Sequence, residues 1–103
     1  SAFSALGFSS GDSSQITAQV TNNTMTGNQT GATFDVIASG TSVSCYDIES
    51  NTNDDTYLIR ANDANPTLRV EEYTNLIAVN NNSGTVTMQL TAPTNANDGD
   101  CGF

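Results

Sequence analysis

The chain has 103 residues, with 11 Asp and Glu against two arginines, no histidine and a formal charge of −9. A surface this acidic repels phosphate backbones and anionic lipid, which excludes nucleic-acid binding. Without histidine or lysine, general base catalysis would fall to carboxylates, and a nucleophilic serine lacks its usual partner.

Apolar residues make up 36%, below the usual globular share, yet they alternate with polar ones as strands do, so the chain reads as a folded domain. Ser1–Ser10 carries Phe3, Leu6 and Phe8 together with Ala2 and Ala5. Such a segment needs a cover. It reads either as the first strand of its own domain or as a strand donated to a neighbouring copy, with a short helical turn as a third option. Ser1-Ala2 suits a processed terminus. Ser9–Ser14 is a polar hinge or turn. Gln15–Thr21 alternates with Ile16, Ala18 and Val20 inward. The loop that follows holds two glycosylation triplets, at Asn22 and Asn28, and a third lies at Asn81.

Gly31–Ser50 holds two period-two runs, around Phe34 and Val36 and around Val43 and Cys45, joined by Ser39-Gly40. This reads as a β-hairpin at the centre of the domain. Asn51–Asp55 is a turn, Thr56–Arg60 a strand with Tyr57 and Ile59 on one face, and Ala61–Pro66 another turn. Thr67–Tyr73 places Leu68 and Val70 inward, and Leu76–Asn80 reads as a strand with Ile77 and Val79 inward. Gly84–Thr91 alternates most clearly, with Val86, Met88 and Leu90 inward, and Asn95–Phe103 is a polar tail.

About seven short strands at regular spacing predict an all-β fold: a small antiparallel β-sandwich, Greek-key and immunoglobulin-like in outline. The organisation expected is an apolar N-terminal segment, 1–10, and a sandwich domain, 11–103. No apolar run reaches the roughly 18 residues of a membrane span. Two cysteines without histidine make a tetrahedral zinc site only with carboxylates or a second chain, and C-x-x-C is absent, so Cys45 and Cys101 are expected to form one structural disulfide. That bond implies an oxidising compartment, and with 39 of 103 residues being Ser, Thr or Asn it points to an extracellular or cell-surface protein. A disulfide from the far C-terminus to the middle of the body resembles the globular heads of type IV pilins. The long apolar N-terminal helix of that family is absent, and no family is assigned.

Catalytic candidates do not emerge. Glu71 and Glu72 are adjacent strand residues on opposite faces, with Glu71 expected to be exposed. The Asx-rich turns offer calcium candidates at Asp54, Asp55, Asp98 and Asp100, without EF-hand spacing. No other cofactor is expected. Tyr46, Tyr57 and Tyr73 are too dispersed for a sugar platform. The function expected is a structural subunit of an extracellular filament or surface assembly, pilus-like and self-associating through Phe3, Leu6 and Phe8. The alternatives are a monomeric binding or adhesion module, for carbohydrate or calcium, and a viral or cell-surface decoration protein.

Overall fold

The computed structural model describes residues 6–25, 34–54, 56–62, 65–82 and 88–103. Among these, eleven strands follow one another: β1 (Leu6–Ser10), β2 (Gln15–Thr21), β3 (Thr24–Met25), β4 (Phe34–Ala38), β5 (Val43–Glu49), β6 (Thr52–Asn53), β7 (Tyr57–Ala61), β8 (Thr67–Glu71), β9 (Asn81–Asn82), β10 (Met88–Thr91) and β11 (Thr94–Ala96). Every pairing is parallel, and each strand pairs with the strand three places along the chain. Sheet A is ordered β1-β4-β7-β10, sheet B β2-β5-β8-β11 and sheet C β3-β6-β9. The chain therefore winds as a three-sided parallel β-solenoid. The antiparallel sandwich is overturned: the stretch read as a hairpin puts β4 in sheet A and β5 in sheet B, where they turn a corner and never pair.

Alternation decides which side chains enter the solenoid. Sheet A stacks Phe8, Val36, Ile59 and Leu90 in one column and Leu6, Phe34 and Tyr57 in another. Sheet B answers with Ile16 over Ser44 and Leu68, Ala18 over Tyr46 and Val70, and Val20 over Ile48. The aromatic rings stack obliquely through this core, with Phe8 at 6.1 Å from Phe34 and 5.7 Å from Tyr46, and Phe34 at 5.7 Å from Tyr57. Tilted contacts at such separations suit the ring quadrupoles.

The corners repeat as the coils do. At the A–B corner Asp12 and Gly40 both take left-handed backbone, and the Thr41 amide donates to the Asp12 carbonyl at 2.7 Å. A Cβ on Gly40 would lie 2.8 Å from that backbone, so only glycine permits the stack. At the B–C corner Asn22 and Ser50 are left-handed, each just ahead of a ladder asparagine. Asn51 is fully buried. Its Oδ1 accepts from the Asn23 amide and side chain, both at 3.0 Å, while its Nδ2 donates to the Val20 carbonyl at 2.8 Å and to Asn80 Oδ1 at 3.0 Å. Asn80 in turn donates to the Ile48 and Leu76 carbonyls at 3.0 Å. This asparagine ladder satisfies the polar groups that a sharp corner removes from the sheets.

The third coil departs from the repeat. Left-handed Glu72 ends β8, and a 3-10 turn (Tyr73–Asn75) and one helical turn (Leu76–Val79) precede the return to the ladder at Asn80. The strand expected over Leu76–Asn80 is thus helical over Leu76–Val79: Leu76 is buried and Val79 packs against the core as expected, but Ile77, expected inward, is 48% exposed. The segment 51–55, read as a turn, holds β6 instead, and Asn81–Asn82 forms β9. Residues 84–87 of the expected strand 84–91 lie outside the described residues, and β10 begins at Met88.

Candidate functional site: the latched face of sheet B and the open first coil

Two features stand out from the regular winding. The first is the outer face of sheet B, where the tail 97–103 folds back across β5 and β8. Cys45 points outward from β5 and is bonded to Cys101. Arg69, outward from β8, meets Asp100 at 3.5 Å. Between them Glu71 receives the backbone amides of Gly99 and Cys101, one on each carboxylate oxygen, both at 2.7 Å. A carboxylate gripping two amides is a strong, charge-assisted clamp. Glu71 is accordingly 2% exposed, which corrects the exposed position expected from alternation alone. Alternation gave its face correctly, but the tail covers it. A shallow groove of about 230 Å³, lined by Gln15, Thr17, Val43 and Arg69 among others, opens beside the disulfide.

The tail also brings carboxylates together. Single oxygens of Asp47, Glu49 and Asp98 lie within 4.8 Å of one another. Burial pushes the Asp47 carboxyl upward, against a hydrogen bond from Gln19 that lowers it, and the charges of Glu71 and Asp98 raise it further. Glu49 is raised chiefly by the neighbouring Asp47 charge, then by burial and by Asp98. Three oxygens are short of the six to eight that calcium takes, and the amides of Gly99 and Cys101 are donors committed to Glu71. Of the calcium candidates, only Asp98 joins this group. Asp100 is engaged by Arg69 and by the Asn97 amide at 2.9 Å, Asp54 sits apart beyond β6, and Asp55 lies outside the described residues. Asp47 and Glu49 escaped sequence reasoning because the strand that carries them is brought to Asp98 only by the tail.

The second feature is the open end of the solenoid. Among the described residues, no strand pairs with the free edges of β1, β2 and β3. Leu6, Phe8, Ile16 and Ala18 lie inward but are only partly buried, packed on the core from one side. Of the expected contact residues, Leu6 and Phe8 share this first coil, paired in register with Phe34 and Val36; Phe3 lies outside the described residues. The sheet-C side of the coil ends in buried Met25.

The remaining sequence candidates scatter. Asn22 is exposed at its corner, Asn81 lies in β9, and Asn28 lies outside the described residues. Tyr46 and Tyr57 are fully buried, and Tyr73 packs against the core, so no tyrosine platform is presented. Burial raises both Tyr46 and Tyr57 above the ordinary phenol value. Arg60 approaches Asp35 at 4.0 Å, so both arginines of the chain face a carboxylate. No helix among the described residues is long and apolar enough to cross a membrane. The disulfide suits a non-reducing compartment. Compared with known proteins, the chain matches no family model, no curated protein and no solved structure.

Proposed function

We propose that this chain is a structural subunit of an extracellular or cell-surface assembly, and that its copies associate through the first coil. One observation carries the reading: the core columns run to an end where Leu6, Phe8, Ile16 and Ala18 remain partly exposed beside strand edges that pair with no strand among the described residues. Solenoid ends need caps, because an open end exposes both apolar core and free backbone groups. The surrounding body suits a structural part. It is latched by a disulfide, a carboxylate clamp and a buried asparagine ladder, all features that hold shape.

The test is the particle mass of the native chain across a wide concentration range, by light scattering and electron microscopy. Self-association that increases with concentration, to a dimer or a larger particle, is expected. A monomer throughout sinks the reading and favours a self-contained binding module. Deleting residues 1–10 is the poorer probe, since it strips β1 from Phe34 and exposes the core of the body itself.

A further inference from the structure

Resting on that reading, we propose that the occupant of the open end is the same end of a second copy, so that two chains close face to face about a two-fold axis. Charge segregation is the first argument. Asp12 is the only charged residue before Asp35, so ten of the 11 acidic residues and both arginines follow the first coil. Two such ends meet without repulsion, whereas the sides of the strongly acidic body repel one another.

The opposite end is built differently. Its edge strands β10 and β11 present Thr94 and Asn95, both exposed, and Asn95 accepts from the amide and hydroxyl of Thr74 at 3.4 Å. Pro93 stands between the two strands, and Asp98 and Asp100 follow in the adjoining turn. Polar side chains, proline and carboxylates are the devices that keep a sheet edge from pairing. Among the described residues the far end shows Leu90 where the first coil shows Leu6, Phe8, Ile16 and Ala18, so head-to-tail stacking is the worse match, and joining like ends buries the more apolar end of both copies.

Area agrees. The molecule measures 35 × 30 × 18 Å, and four stacked strands at about 4.8 Å spacing account for the short dimension. The two end faces are therefore its broadest surfaces. Each is on the order of 800 Å², the share one partner contributes to a standard specific interface.

The experiment combines sedimentation with hydrogen exchange on the unmodified chain at low and high concentration. A dimer is expected, with concentration-dependent protection of β1 and β2 and none of β10 and β11. Ile16→Asp sets like charges across the two-fold axis and should raise the dissociation constant at least tenfold, while mixing it with Ile16→Lys restores a dimer. Ile77→Asp, at the exposed apolar residue of the helical turn, should leave the dimer unchanged. Circular dichroism checks that each variant folds, and the exchange result stands without any variant. An open series of masses with protection at both ends overturns the two-fold pairing but leaves the assembly reading intact. Monomer at every concentration overturns both and returns the end to another occupant.

Discussion

Replacing Asn51 by alanine is the sharpest probe of how this fold is held. Asn51 is fully buried, its Oδ1 accepts two bonds from Asn23, and its Nδ2 serves Val20, Glu49 and Asn80. Truncation removes all of these and strands the Val20 carbonyl and the Asn23 amide at the corner. Each neutral hydrogen bond contributes about 1 kcal/mol net, and each buried group left without a partner costs roughly 1–3 kcal/mol. Because the bonds share atoms and are not additive, the expected loss is about 3–5 kcal/mol. That is a large part of the 5–15 kcal/mol typical of a domain. Urea unfolding of the oxidised protein measures it, with the m-value checking that the unfolded state is unchanged. Asn62→Ala, at an exposed corner where the backbone amide donates to the Ala38 carbonyl, should stay within about 0.5 kcal/mol of the parent. A loss below about 1 kcal/mol at Asn51 would falsify the view that the ladder holds the corners.

Two further outcomes follow from the latched face. Reducing Cys45–Cys101, a bond spanning 56 residues, should cost about 4 kcal/mol on the chain-entropy model. A clear fall in Tm with the far-ultraviolet β signal retained is expected at moderate temperature, and an unchanged Tm would refute the latch. Asp47 and Glu49 supply a pH dependence. Their folded pKa values are raised, so the native state binds protons more tightly than the unfolded chain, and their contribution to stability falls as pH rises through the raised values. Asp47→Asn keeps an acceptor for Gln19 and removes the largest cause of the Glu49 shift. The variant should be more stable than the parent near pH 7 and equal to it near about pH 3, where both carboxyls are neutral in either state. Thermal melts over that range decide it, and a variant less stable at neutral pH contradicts the electrostatics.

The inward faces of most strands were legible, but the winding that joins them was not. Ile16, Ala18 and Val20, Phe34 and Val36, Tyr57 and Ile59, and Leu68 and Val70 all point inward as alternation requires, and the disulfide is where the cysteines placed it. Alternation reports which face is buried but not which strand lies alongside. Parallel sheets usually have both faces covered and read as continuous apolar runs. Here the outward residues of sheet A are partly exposed and those of β5 and β8 in sheet B are partly covered by a polar tail, so polar residues alternate with apolar ones and the strands look antiparallel. The repeat was hidden by its unevenness: the chain advances 28 residues from Leu6 to Phe34, 23 from Phe34 to Tyr57 and 31 from Tyr57 to Met88. One regular signal did exist. Asn23, Asn51 and Asn80 recur at intervals of 28 and 29, each three residues after an aliphatic one, Val20, Ile48 and Ile77. In a chain so rich in asparagine those three do not stand out. Leu76–Val79 misled for a different reason, since a short apolar run does not distinguish a strand from a buried helical turn. The open first coil was half legible: Phe3, Leu6 and Phe8 advertised a segment in need of a cover, but its partners Ile16 and Ala18 join it only once the chain winds.

The bond between Cys45 and Cys101 also changes how the molecule would carry a pulling force. Tension applied at the C-terminal residues passes through the sulfur bridge directly into β5, bypassing β6 to β11. The 56-residue loop that it closes is shielded from the load, which withholds roughly 190 Å of contour length at about 3.4 Å per residue. While the bridge is intact, the last coils cannot be peeled away one after another from that end. Reduction would release the hidden length and turn a short, stiff link into a long, extensible one.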